Sequence, residues 1–155
     1  ACSIQRERRA LYHNRPLPRH RRYSGVTLAQ VNLILKNLPV DVTYIDETDT
    51  VRYYSEGRER VFLRTPEIIG RKVQQCHPPK SLHVVNRILE AFRKGEKDVA
   101  EFWIALHGTF VHIRYFALRD AAGAYRGTIE VTQDATAIRG LQGERRLLDW
   151  GKMEV

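Results

Sequence analysis

The chain has 155 residues and a mass of 18.0 kDa, room for one compact domain. Hydrophobic residues at 43% and charged residues at 28% are ordinary for a soluble globular protein, and two cysteines, Cys2 and Cys76, cannot build the disulfide framework of a small secreted domain. No apolar run approaches the ~20 residues that cross a bilayer and no leader resembles a signal peptide, so a cytoplasmic location is expected.

The net charge of +8 is concentrated in residues 1–25, where seven Arg face a single acid, Glu7. The rest of the chain is nearly neutral. This basic arm also carries Pro16, Pro18 and Gly25 and has no sustained apolar period. It reads either as a cationic segment that neutralises nucleic-acid phosphates or as a solvated linker. Single-stranded binders set aromatics beside their cations, and only Tyr12 and Tyr23 qualify here, which favours the linker.

A helix follows over residues 26–38. Thr27 and Gln30 have capping-box spacing, Leu28, Val31, Leu35 and Leu38 share a face, and Pro39 ends the pattern. V-D-V-T-Y-I-D and T-V-R-Y-Y, separated by acidic and Thr residues, read as a hairpin. Residues 55–75 are punctuated by Ser55, Gly57, Pro66 and Gly70 and predict short helical turns in loops. The longest helix starts near Pro78-Pro79 and stops at Gly95, after Arg93 and Lys94. Three β-prone runs, Val99–His107, Phe110–Arg119 and Tyr125–Gln133, turn at Gly108 and at Asp120–Gly123. A final helix is expected from about Ala137 to Trp150. Its seam of Ile138, Leu141, Arg145 and Leu148 is heptad-like but weakened by Gly140 and Gly143. The order predicts an α+β fold: a five-stranded antiparallel sheet, inserted helices on one face and a flanking helix at each end. The domain plan is an arm at 1–25, a flanking helix at 26–38, a core at 39–136 and a signalling or dimerisation helix at 137–155.

Several segments then resemble the PAS sensory domains. They are L-P-V-D-V-T-Y-I-D-E leading into V-R-Y-Y-S-E-G-R-E-R-V-F; I-I-G-R-K-V-Q-Q-C-H-P-P before the long helix; F-R-K-G-E at its end; and F-V-H-I-R-Y-F-A-L-R-D followed by G-T-I-E-V-T-Q-D-A-T. Asp134-Ala135-Thr136 matches the D-x-T that links such a core to its outgoing helix. The C-H-P-P-K-S stretch is most similar to PAS domains that accompany a hemerythrin-like domain. The resemblance implies a small internal cavity, pairing of two copies, signal transfer through flanking helices, and ligands ranging from haem and flavins to none.

The candidate sites follow from these readings. Flavin photosensing resembles a G-x-N-C-R-F-L-Q motif, whereas this chain has Gly70-Arg71-Lys72-Val73-Gln74-Gln75-Cys76, which opposes a flavin. Haem-binding relatives use a His on the long helix, and His83 falls within one residue of that place. The helical wheel puts His83 with Asn86, Arg87, Glu90 and Lys94, opposite Leu82, Val84, Val85, Ile88, Leu89, Ala91 and Phe92, so haem is disfavoured. Cys76 and His77 stand before the long helix, where a thiol can become a redox sensor; the plainer reading is a packed Cys and a locally hydrogen-bonded His. His107 and His112 read as structural or exposed. Tyr44, Tyr54, Phe62, Trp103 and Tyr115 are the aromatic candidates for lining a ligand pocket, and no metal set or catalytic motif stands out. The expected function is a non-catalytic sensory and dimerisation module, a homodimer that takes a small ligand in its core or acts by protein contact, with a haem or redox sensor as the least favoured reading. The alternative is a nucleic-acid-binding regulator that uses the arm and pairs through the core.

Overall fold

The computed structural model describes residues 25–58 and 60–146. The arm, apart from Gly25, and residues 147–155 lie outside them.

Helix α1 spans Leu28–Asn37 and opens on the expected capping box: the Thr27 hydroxyl accepts from the Gln30 N–H at 3.2 Å, and Gln30 Oε1 accepts from the Thr27 N–H at 2.8 Å. No residue of α1 is buried; Val31 and Ile34 stay 41% and 56% exposed. Its apolar stripe is therefore not spent on the core of this chain.

Strands β1 (Asp41–Ile45) and β2 (Val51–Tyr54) form the predicted hairpin. Its turn is organised by Asp46, whose Oδ1 accepts the N–H groups of Thr48 and Thr50 and whose Oδ2 meets Arg52 Nε at 2.5 Å. Burial opposes charge on Asp46, yet these hydrogen bonds prevail and hold its carboxyl well below the usual range. Two 3-10 turns follow, Pro66–Ile68 and Val73–Cys76.

Helix α2 runs Pro79–Arg93, with Pro at its first position and Gly95 at φ +75° just beyond its end. It buries Val85, Leu89 and Phe92. Val84, expected on that face, is 39% exposed and departs from the wheel; it lines a shallow groove with Val99 and Ala100 of the following edge strand.

Strands β3 (Val99–Leu106), β4 (Thr109–Arg119) and β5 (Tyr125–Asp134) complete a five-stranded antiparallel sheet in the order β2-β1-β5-β4-β3. His107 (φ 49°) and Gly108 (φ 85°) make the tight β3–β4 turn, which needs two left-handed residues. The architecture is the α+β arrangement expected. The core, built on Ile45, Val51, Val73, Val85 and Leu89, lies between the sheet and the inserted helices.

The C-terminal expectation is corrected. Helix α3 covers only Thr136–Arg139 instead of reaching toward Trp150; Gly140 closes it, and Gly143 at φ +62° is outside helical backbone. Ile138 and Leu141 are 53% and 75% exposed, so no apolar contact offsets the two glycines, while Leu148 lies outside the described residues. The D-x-T segment does have a structural role. Asp134 Oδ1 accepts the Thr136 N–H at 2.8 Å, and the Thr136 hydroxyl accepts the Phe110 N–H at 2.8 Å, tying the end of β5 to the start of β4.

Candidate functional site: a polar cluster in the core cavity

The register of the sheet builds the floor of the site. Thr43 of β1 stands opposite Glu130 of β5, which stands opposite Tyr115 of β4. Because side chains alternate across a strand, Thr128, Glu130 and Thr132 share the inner face with Val111, Ile113 and Tyr115. Thr128 is 1% exposed, Glu130 9% and Thr132 1%. Read as a pattern, T-I-E-V-T asks for Ile129 and Val131 inside. The pairing register places them on the outer face instead, half-buried.

The roof comes from elements without sequence periodicity. Arg64 arrives on the loop after β2, Cys76 ends the second 3-10 turn and His77 follows it, and Val85, Ile88 and Leu89 descend from α2. Between floor and roof lies a cavity in which the space open to the centre of a water molecule is ≈ 20 Å³. That admits a few heavy atoms; a haem or flavin ring system does not fit.

Arg64, Tyr115, Glu130 and the His77 imidazole meet there, with Thr43 and Thr128 also on the lining. Arg64 Nη2 lies 3.8 Å from Glu130 Oε1, with side chains 14% and 11% exposed. The Thr132 hydroxyl donates to the same oxygen at 3.2 Å. Burial, reinforced by the Glu130 charge, pushes the Tyr115 phenol far above its ordinary pKa, so it stays protonated. Burial also lowers the His77 pKa despite the nearby Glu130 carboxylate, and among the described residues its ring makes no hydrogen bond, in contrast to the local bond expected. Arg64 Nε is buried with no hydrogen-bond partner among the described residues, an unsatisfied state shared there only with Arg114 Nε on the outer face.

Beside the cavity a second buried pair closes the loop. Arg60 Nη1 lies 3.6 Å from Asp41 Oδ1, with side chains 9% and 6% exposed. Arg60 Nη1 also donates to the Ser55 carbonyl, and Asp41 Oδ2 accepts the Val61 N–H at 2.8 Å.

Of the aromatic candidates, Tyr115 lines the cavity and the other four do not. Tyr44 is on the outer face, donating to the Arg126 carbonyl at 2.9 Å. Tyr54 lies under the Arg60 guanidinium, 5.4 Å from Cζ to ring centroid. Phe62 is half-buried in the loop, where its carbonyl accepts from Arg60 Nε. Trp103 is 62% exposed on the face turned away from α2. Cys76 and His77 both line the cavity; Cys76 packs against the apolar cluster with its thiol 3.8 Å from the Lys72 carbonyl. His83 is exposed, beside Arg87 on a shallow groove between α2 and β3, so it stands outside the core as the wheel requires. No group of three or more His, Cys, Asp or Glu among the described residues is placed to hold a metal ion, and none of their helices is long and apolar enough to cross a membrane. Arg64 and Glu130 escaped the sequence reading: one sits in a loop, and the other occupies a position that alternation assigns to solvent.

The PAS domain family model matches residues 31–136. The chain belongs to the PAS domain family. A C-terminal domain from Streptococcus mutans is 35% identical over 79% of this chain and 96% of that one, with a TM-score of 0.72. The PAS domain of a Colwellia psychrerythraea protein shares the fold at 16% identity, covering 71% of this chain and 98% of that one, TM-score 0.53. A sensory box sensor histidine kinase from Vibrio cholerae shares it at 10% identity, covering 68% and 89%, TM-score 0.50. No curated protein matches the chain. PAS domains are typically sensory or signalling modules and generally non-catalytic, and the five-stranded antiparallel sheet with a few helices is the fold of that family.

Proposed function

We propose that this PAS domain is a sensory and pairing module without catalysis of its own: a small molecule is taken into the cavity beneath α2, and two copies associate through α1 and the outer sheet face. The observation that carries the reading is the cavity, an apolar space in the centre of the domain into which Arg64, His77, Tyr115 and Glu130 are brought from four separate segments. Burying so many polar groups costs stability that an all-apolar core would retain, which is the usual cost of a site. Signal leaves by population shift: a ligand that binds two arrangements of the sheet with different affinity moves the balance between them.

Pairing is supported by apolar surface left over. Val31 and Ile34 on α1 and Trp103 on β3 remain 41%, 56% and 62% exposed, and exposed apolar groups of this size mark contact surfaces. The test is sedimentation of the full chain. Wild type is expected to run as a dimer and Ile34→Asp as a monomer with an unchanged circular-dichroism spectrum. A wild-type monomer, or an Ile34→Asp variant that still dimerises, contradicts the pairing surface.

A further inference from the structure

We infer that the ligand of this cavity is a small uncharged carboxamide with a short branched aliphatic body. The inference rests on the reading of the cavity as a ligand site and narrows it to a chemical class.

Charge decides first. The buried ionised side chains in and beside the cavity come in opposed pairs, Arg64 with Glu130 and Arg60 with Asp41. An added anion or cation leaves one buried charge without a counter-charge, a costly condition in an apolar interior. A neutral ligand disturbs no balance.

Hydrogen bonding decides next. Arg64 Nε–H is a buried donor that lacks an acceptor, and such a group costs the full desolvation of an unmade bond. Beside it, with Oε1 3.8 Å from Arg64 Nη2, the Glu130 carboxylate takes the Thr132 hydroxyl on that same oxygen and has further lone pairs to accept with. A buried donor and acceptor side by side match the adjacent C=O and N–H of one carboxamide group, whose carbonyl accepts from Arg64 and whose N–H donates to Glu130. A ketone can only accept, and an alcohol accepts and donates through a single oxygen, whereas a carboxamide presents the two functions on separate atoms. Ile45 and Val51 below and Val85, Ile88 and Leu89 above supply an aliphatic part of the lining that suits a branched hydrocarbon body, beside Thr43, Thr128, Tyr115, His77 and Cys76. The opening of ≈ 20 Å³ keeps that body to a few heavy atoms.

The experiment compares near-isosteric probes on the unmodified full chain: isobutyramide, isobutyrate and isopentane, followed through the backbone amides of Thr128 and Glu130 in ¹H–¹⁵N spectra at neutral pH. Isobutyramide is expected to shift both amides saturably, with isobutyrate at least about tenfold weaker because it brings an unpaired charge inside. Arg64→Met is expected to abolish the amide response. Since that variant strands Glu130 and can fail to fold, the charge-neutral pair Arg64→Met with Glu130→Gln provides a second reading and is expected to lose the preference for isobutyramide over isopentane. If isobutyrate binds as tightly as isobutyramide, or the double variant keeps the preference, the carboxamide class is overturned while the cavity stands. If none of the three probes moves either amide, the cavity reading itself is overturned along with it.

Discussion

Gly127→Ala is expected to cost about 3–5 kcal/mol or to prevent folding altogether, the sum of a strained backbone and a forced overlap. Gly127 has φ +125°, and a Cβ built there meets the Ile45 carbonyl oxygen at 2.2 Å, Tyr44 Cε2 at 2.8 Å and Asp46 Cα at 3.0 Å. Two of those three atoms are backbone of the hairpin that β5 pairs with, so no side-chain rotation relieves the overlap. The position lies beside the irregularity between Leu118 and Arg119, where the sheet changes register. Gly123 supplies the comparison. It also has positive φ, +82°, but a Cβ there meets nothing within 4 Å, so Gly123→Ala is expected to lose only about 1 kcal/mol. Urea unfolding followed by circular dichroism separates the two. Equal losses at 123 and 127 contradict the close approach of β5 to β1.

Asp41→Ala is expected to cost about 3–5 kcal/mol, because it leaves the Arg60 guanidinium buried without its counter-charge. The Asp41 side chain is 6% exposed and that of Arg60 9%, so water cannot replace the missing carboxylate. Burial already disfavours charge on Arg60 and lowers its pKa, with Asp41 working in the other direction. The Val61 N–H loses its acceptor as well. Replacing both partners, Asp41→Leu with Arg60→Met, is expected to cost less than Asp41→Ala alone, since no lone charge remains. A double variant less stable than the single one indicates that Arg60 contributes through its bonds to the Ser55 and Phe62 carbonyls more than through the ion pair.

Much of this fold is legible in the sequence because its boundaries are made locally. Thr27 and Gln30 cap α1, Pro79 opens α2, and Gly95 follows its end, each acting over a few residues. The β1–β2, β3–β4 and β4–β5 neighbours follow from short turns such as His107-Gly108, whereas the β1–β5 pairing joins segments far apart in the chain. The site is less legible because it depends on pairing register and on loops. Glu130 looks like a solvent position until β5 is set between β1 and β4, and Arg64 belongs to a stretch without periodicity. The aromatic candidates misdirect for a related reason. Large rings can serve the core, a loop or an outer face equally well, and Tyr44, Tyr54, Phe62 and Trp103 take those other places. The C-terminal helix stops at Arg139 among the described residues because the exposed Ile138 and Leu141 do not offset Gly140 and Gly143.

The central claim is that the cavity under α2 is coupled to the surfaces by which the domain meets other molecules. Val85→Ile tests it most directly, since it places one added methyl group in the cavity wall and mimics partial occupancy without any ligand. In ¹H–¹⁵N spectra of the full chain, the account predicts shifts beyond the core, at the Trp103 indole on the outer face and along Leu28–Asn37 of α1. Shifts confined to residues touching position 85, with Trp103 and α1 unmoved, would contradict it.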